Sequence, residues 1–491
     1  MPTSRRDRWP PRSHRESLTI PTAVVLCLIA AVVVWQVIGD ARVPVPVHYD
    51  YDEGVYAATV DAASHGARLY QDVFLSQPPV LILMIRGMFA LLGTSLAVAR
   101  SAVVLSSALW LIAIFAILMA RGFPWGGALA VCLVLGRPVF LVMARTVEME
   151  VPSEALACAA IALAAWGTRR PGPAWWVGAG ALAVLALMTK LTAATCLVPL
   201  AGAAITARRP ELRRPWGLMA AGAVLATGAL LPIIVAAGFP DQVFAFHVIL
   251  ARAHPQSPMT HAATIARFLA WEWPLSATAT FGLWWSIRSG TWLDRAIVVW
   301  LAASCAVLIG LTPLWQHHLI ILMSPLALLA GTALDRVAVW IARSGGGARL
   351  AMSAGLAAVV AAYLFWGVSA VPKQVSSGEL QRAIAQVGGA VPASGKILTD
   401  DPMVAFLARR PLAAGLIDTS LARIWAGEIT EMNLLTVLRE KETDAVVLWR
   451  GTFRAYFPRF EAAAASLFPV AVTARGGRVL LFKAPPAPHR R

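Results

Sequence analysis

Apolar runs of near-bilayer length, separated by short arginine-bearing stretches, dominate this chain. They fall near 18–39, 98–120, 124–144, 152–168, 173–188, 191–207, 216–238, 263–287, 294–313, 317–334 and 349–371. A helix needs roughly 20 mainly apolar residues to cross the hydrocarbon core, and in lipid its backbone polar groups must be satisfied within the segment. The pattern predicts an all-α polytopic membrane protein with about eleven transmembrane helices. Composition agrees: 58% of residues are hydrophobic, 14% are charged and the mean hydropathy is +0.67. Those values exclude an ordinary soluble globule.

Charge gives an orientation. The net charge of +16 could suggest nucleic acid, but the arginines cluster between apolar runs, as the positive-inside bias requires. We therefore expect no nucleic-acid partner. The basic segment 1–17, with Arg5, Arg6, Arg8, Arg12 and Arg15, precedes the first run. That run is long, and Asp40-Ala41-Arg42 follows it instead of a small-residue cleavage site, so it reads as a retained anchor with a cytoplasmic N-terminus. Alternation then puts Arg121, Arg169-Arg170, Arg208-Arg209, Arg213-Arg214, Arg288, Arg295, Arg336, Arg343 and Arg349 in the cytoplasm. Asp50, Asp52, Glu53, Asp61, Glu148, Glu150, Glu154 and Asp241 fall on the other side. The stretch 78–93 is apolar but short and contains Arg86. Counting it as a span would invert every later loop, so it reads as an interfacial or re-entrant helix within an outer loop 40–97. The expected location is the plasma membrane.

Beyond 372 the character changes: charged residues become frequent and apolar runs shorten. We read 18–372 as the transmembrane domain and 373–491 as a small α/β domain. Helices are expected at 378–387 and 428–440, and strands at 396–399 and 445–449. A hairpin is expected from 470–473 and 478–482 through Gly476-Gly477. An odd number of spans makes this domain extracytoplasmic. Cys27, Cys132, Cys158, Cys196 and Cys305 all lie in apolar runs without a CxxC pair, which suits helix packing and not a disulfide or zinc framework.

The residues able to do chemistry sit on the acidic side. His48-Tyr49-Asp50-Tyr51-Asp52-Glu53-Gly54-Val55-Tyr56 follows the first run. Asp52 and Glu53, with Asp50 nearby, read either as a solvated acidic loop or as a general base with a helper. A carboxylate base is what transfer of a sugar to a hydroxyl needs. Arg145, Glu148, Glu150 and Glu154 flank the start of a later span. Glu150 and Glu154 share a helix face, which suits interfacial capping or a polar ligand between them. Lys190 interrupts apolar sequence; intramembrane ionisable residues usually face a cavity, and this one suits either snorkelling or holding a phosphate. His317-His318 open another span beside Trp315, as an interfacial pair or as donors to phosphate and sugar hydroxyls. His247, His254 and His261 are evenly spaced, but Pro255 and Pro258 break any helix that would join them as metal ligands.

In order and spacing these features resemble the polyprenyl-phosphate-dependent glycosyltransferases of the GT-C superfamily, in the branch of protein mannosyltransferases and aminoarabinose transferases. The similarity spans roughly 18–335. It rests on Asp52-Glu53 followed by Tyr56, on Gly66, and on Tyr70-Gln71-Asp72-Val73-Phe74. It continues with Pro78-Pro79, Arg145 with Glu150, Thr189-Lys190, and His317-His318 with Pro325. The resemblance implies that Asp52 is the base, that Glu53 and Glu150 orient sugar or acceptor, and that Lys190 holds the lipid phosphate. Many relatives carry Lys before the Pro-Pro pair where this chain has Gln77; Arg86 could supply that charge. Where relatives have a Pro-Asp pair, this chain has Met149-Glu150.

The expected activity is inverting transfer of a sugar from a polyprenyl-phosphate donor to a lipid, glycan or protein hydroxyl at the outer face. Catalysis falls to Asp52 and Glu53, and binding to Asp50, Tyr56, Asp72, Arg86, Arg145, Glu150, Lys190, His317 and His318. No cofactor is called for, although a divalent metal could sit among Asp52, Glu53 and Glu150. The alternatives are a flippase of lipid-linked sugars, which inverted repeats would support, and a non-catalytic envelope assembly protein.

Overall fold

The computed structural model describes residues 15–42, 49–170, 172–207, 215–236, 239–372, 377–413, 415–439, 443–473 and 478–482. Most of the basic N-terminal segment, His48, the arginines at 208–214 and Gly476-Gly477 lie outside these residues.

Helix α1 (Arg15–Arg42) is a long apolar span. The loop that follows holds α2 (Tyr51–Ser64) and α3 (Val80–Leu92). At 13 residues α3 is too short to span. It buries Leu81, Ile82, Ile85 and Phe89 while leaving Arg86, Leu91 and Leu92 exposed, as an interfacial helix should. The bundle continues with α4 (Leu96–Ala120), α5 (Pro124–Leu135), α6 (Pro138–Met143), α7 (Glu150–Gly167), α8 (Pro173–Leu187) and α9 (Leu197–Thr206). Next come α10 (Pro215–Ala236), α11 (Phe239–Ala253), α12 (Pro258–Trp271), α13 (Trp273–Ser289), α14 (Trp292–Gly310), α15 (Met323–Arg343) and α16 (Gly346–Ala370).

Among the described residues six helical segments, not eleven, are individually long and apolar enough to cross a bilayer. They are Ile20–Gly39, Leu96–Ala120, Pro215–Val235, Trp292–Gly310, Gln316–Arg343 and Gly346–Ala370. The other five runs are short or broken. The run 124–144 splits at Gly136-Arg137, where Pro138 starts a new helix. The run 263–287 splits at Glu272, and 191–207 begins as a 3-10 turn, Leu191–Cys196. Helix α8 has only 15 residues, and α7 opens on a glutamate. Of these pieces α7 is buried along almost its whole length, whereas α12 and α13 leave Trp271, Trp273 and Phe281 exposed. Buried helix breaks are tolerated where protein groups satisfy them. At one such pair of breaks Arg137 bonds Glu272, both fully buried.

Close helix contact depends on small residues. A Cβ on Gly180 of α8 would lie 1.9 Å from the Met219 carbonyl oxygen of α10, and one on Gly222 of α10 would lie 1.9 Å from that of Val177. Without side chains there, the two backbones meet directly.

The C-terminal part adds α17 (Gly378–Ala390) and a four-stranded sheet ordered β1-β2-β4-β3. Its strands are β1 (Ile397–Thr399), β2 (Ala445–Leu448), β3 (Val470–Thr473) and β4 (Val479–Phe482). Strands β1 and β2 run parallel, and β3 and β4 form the expected antiparallel pair. Helix α18 (Pro402–Leu407) follows β1 and packs on α2. The contact is close: a Cβ on Gly54 would stand 2.7 Å from the Met403 nitrogen. The α/β layer thus sits on the acidic loop.

The two ends of the bundle differ in charge. At one end Arg121 pairs with Asp294 through Nε at 2.6 Å, and Arg336 lies 3.6 Å above the Trp285 ring. Near the other end lie Glu148, Glu150 and Lys190. Helix α7 joins the two ends, and its 18 residues span about 27 Å at 1.5 Å per residue.

Candidate active site

Asp50 is extended (φ −75°, ψ 153°) and caps α2, its Oδ1 accepting the Asp52 N–H at 3.0 Å. Acidic groups in a first helical turn are favoured by the helix dipole. Asp52 is half-buried at this turn. Burial, then the charges of Asp50, Asp418 and Glu150, push its carboxyl up to about 8, against the pull of Lys190. A base poised near neutral pH is matched to proton transfer.

Glu53 turns elsewhere, because consecutive helix residues point about 100° apart. It is fully buried, and Arg100 donates to its two oxygens at 2.8 and 2.7 Å. The Val147 N–H adds a third bond at 3.1 Å. This fork ties α2 to α4 and to the 144–149 loop, so Glu53 braces the site.

Glu150 opens α7, and Lys190 stands just past the end of α8 in extended backbone (φ −153°, ψ 132°). The Lys190 ammonium bonds Glu150 Oε1. His317 and His318 bring their Nε2 atoms to 3.6 and 3.8 Å from the same oxygen. The Val80 N–H bonds the Met188 carbonyl at 2.9 Å, which sets the Pro78-Pro79 end of α3 beside the Thr189-Lys190 break. Among the described residues, buried oxygens Glu148 Oε1 and Glu150 Oε2 have no hydrogen-bond partner, which leaves acceptors for a ligand. Burial and the charges of Asp52 and Glu150 raise the Glu148 carboxyl well above its ordinary range.

Tyr56 is buried and feels the charges of Asp52, Glu148 and Glu150. Arg145 is buried, donates to the Pro372 carbonyl at 3.1 Å, and lines a cavity of about 1030 Å³ together with Asp50, Tyr49, Trp449 and Arg450. The remaining two sequence candidates lie apart. Asp72 is exposed and accepts two bonds from the Arg68 guanidinium at 2.9 Å each. Arg86 is exposed on α3. The evenly spaced histidines do not converge: His247 bonds the Val243 carbonyl, His254 stacks on Trp425 at 3.9 Å, and His261 is held between the Ile309 carbonyl and Gln256.

Glu150, His317 and His318 bring one ligand atom each within 4.8 Å of one another, a spacing that could take a metal ion. The Lys190 ammonium already bonds the glutamate oxygen nearest both imidazoles. A second cation there would meet that positive charge directly, so these residues do not fit a metal in the arrangement seen.

Arg100, Asp418 and the tyrosines flanking Asp50 were missing from the sequence candidates. Arg100 had a signal, as an arginine inside an apolar run. Asp418 had none, since it lies 366 residues from Asp52 in a loop of ordinary composition.

Residues 76–235 match the family model described as dolichyl-phosphate-mannose-protein mannosyltransferase. ArnT from Cupriavidus metallidurans in the apo state superposes with a TM-score of 0.66 at 18% identity, covering 94% of this chain and 98% of that one. The same protein bound to undecaprenyl phosphate gives 0.64 at 16%, with the same coverage. The fold is that of ArnT. An oligosaccharyltransferase from Archaeoglobus fulgidus, tethered to an acceptor peptide, gives 0.53 at 11% identity and covers 91% of this chain and 70% of that one. No curated protein matches the chain in sequence. The resemblance to the GT-C superfamily read from the motifs therefore holds, as does the reading of a multi-pass membrane protein. The ArnT likeness extends over the C-terminal α/β elements, beyond the 18–335 that the motifs covered.

Proposed function

We propose that this protein is an inverting glycosyltransferase that moves a sugar from a polyprenyl phosphate to an acceptor hydroxyl at the outer face of the plasma membrane. The observation that carries the reading is Asp52, half-buried and held by a capped turn, facing the field of the Lys190–Glu150 pair. The lipid tail stays in the bilayer and the phosphate docks at Lys190, with His317 and His318 donating to it. Glu150 gives up part of its hold on the ammonium when the phosphate arrives, and then faces the sugar. Asp52 removes the acceptor proton as the acceptor oxygen bonds to the sugar's anomeric carbon. The bond from that carbon to the phosphate oxygen breaks on the opposite side. The phosphate leaves with the electron pair, and the ammonium stabilises the charge that develops there. Glu53 and Arg100 hold the turn that carries Asp52. Tyr56, Asp50 and Arg145 line the sugar and acceptor side, whereas Asp72 and Arg86 act at the rim.

The orientation follows from the sorting of charge: arginines at the cytoplasmic end, the acidic loop and residues 373–491 outside. The α/β layer packs on the acidic loop, which favours one side for both. The test is incubation of purified protein with a panel of polyprenyl-phosphate sugars, following release of free lipid phosphate. Release that needs an acceptor and disappears in Asp52→Asn supports the reading. No release with any donor, or release unaffected by that substitution, overturns it.

A further inference from the structure

The C-terminal layer grips the turn that carries Asp52. In extended backbone, residues two apart share a face, and Tyr49 and Tyr51 flank the extended Asp50. Tyr49 donates to Asp401 Oδ2 at 2.8 Å. The Tyr51 hydroxyl accepts the Thr419 N–H at 2.7 Å and lies 3.1 Å from Thr419 Oγ1 and 3.4 Å from Asp418 Oδ1. Between the rings lies Arg450, its guanidinium carbon 5.3 Å from the Tyr49 centroid and 5.2 Å from that of Tyr51. Its Nε donates to the same Asp401 oxygen at 3.0 Å.

The grip is rigid on its own side. Asp401 caps α18 through the Met403 N–H at 3.1 Å. Asp400 Oδ1 accepts the Trp449 and Arg450 N–H groups at 2.7 and 3.1 Å. Asp418 accepts the Ser420 N–H at 2.8 Å. Asp400-Asp401 and Trp449-Arg450 leave the carboxyl ends of the parallel strands β1 and β2. In open α/β sheets that edge is where ligands are usually held; here it holds the chain's own catalytic loop.

We propose that Arg450 is a positioning residue for transfer: sandwiched between Tyr49 and Tyr51 and anchored on Asp401, it fixes the turn from which Asp52 acts. Residues 373–491 are then part of the catalytic machinery. The inference rests on the proposed role of Asp52. A base displaced by about 1 Å can cost on the order of 100-fold in rate, while the Lys190 side, and with it donor binding, is untouched. Lysine at 450 keeps the charge but lacks the planar guanidinium that stacks on rings.

The experiment compares full-length wild type, Arg450→Ala, Arg450→Lys and Tyr51→Phe in lipid nanodiscs, by steady-state kinetics with the active polyprenyl-phosphate sugar and by amide hydrogen exchange. Arg450→Ala should lower kcat at least tenfold with donor KM within twofold, Arg450→Lys should fall between, and amides 51–54 should lose protection in Arg450→Ala and Tyr51→Phe. Wild-type protection at 51–54 in both of these variants overturns the proposal. So does lost protection with unchanged kcat. If no donor turns over, the proposed activity fails, and the exchange measurement still decides whether Arg450 holds the turn. Should Arg450→Ala not fold, Arg450→Lys, which keeps the charge and loses the planar group that stacks between the rings, carries the same test.

Discussion

The Lys190 ammonium closes on Glu150 Oε1, joining the break after α8 to the first residue of α7 within a buried site. In the proposed reaction a phosphate competes with that carboxylate for the lysine. Hydrogen bonds to charged groups contribute about 1.5–3 kcal/mol. Lys190→Ala should therefore raise donor KM roughly ten- to a hundredfold while leaving acceptor preference unchanged. Donor titrations of purified wild type and variant check this, and an unchanged donor KM would remove Lys190 from the phosphate site.

Asp52→Asn keeps size and the helix cap while removing the proton acceptor. General-base catalysis contributes roughly 10²–10⁴-fold, so transfer should fall by about that factor. Expression, membrane insertion and donor binding should persist. Turnover assays paired with donor-binding measurements separate these effects.

The pH dependence follows from the same carboxyl. A general base acts only when deprotonated, and the surroundings of Asp52, the proposed base, hold it at about 8. Turnover at saturating donor should rise with pH through that value. Asp50, Asp418 and Glu150 raise it and Lys190 lowers it. Asp418→Asn should thus move the rising limb to lower pH, and a pH–rate profile reads the direction.

Glu53 and Arg100 are both buried and bonded to each other through two atoms. Removing one partner leaves an uncompensated buried charge, which costs about 3–5 kcal/mol. Arg100→Ala and Glu53→Ala should each reduce the yield of folded protein and lower its thermal midpoint. The double variant should lose less than the two single losses added together. Melting curves in detergent test this coupling.

Gly180 and Gly222 let α8 and α10 touch at the backbone. Gly180→Leu should separate the helices and lower the thermal midpoint more than the same change at Gly217, where a Cβ meets nothing within 4 Å.

The sequence made the membrane class, the acidic cluster and the Lys190 break legible because each breaks a strong local pattern. The helix count was less legible. Arg137 and Glu272 sit at breaks in apolar runs and satisfy each other only in three dimensions, so hydropathy alone continues through them. Glu53 and Asp52 are adjacent acids in the sequence, yet one residue step, about 100° around the helix axis, sends Glu53 to Arg100 and leaves Asp52 half-buried. The tyrosine contacts to Asp401 and Thr419 join residues more than 350 positions apart, beyond the reach of any periodicity.

Helix α3 lies with Leu91 and Leu92 84% and 65% exposed, and its first residue is stitched to the carbonyl two positions before Lys190. A helix whose exposed leucines suit a lipid surface is thereby wired to Lys190, the cation proposed to receive the donor. Bilayers that are too thin or too thick should tug on that wire, so turnover in vesicles of 14-carbon and 22-carbon acyl chains should differ through donor KM before any loss of folded protein; equal KM in both would cut the link.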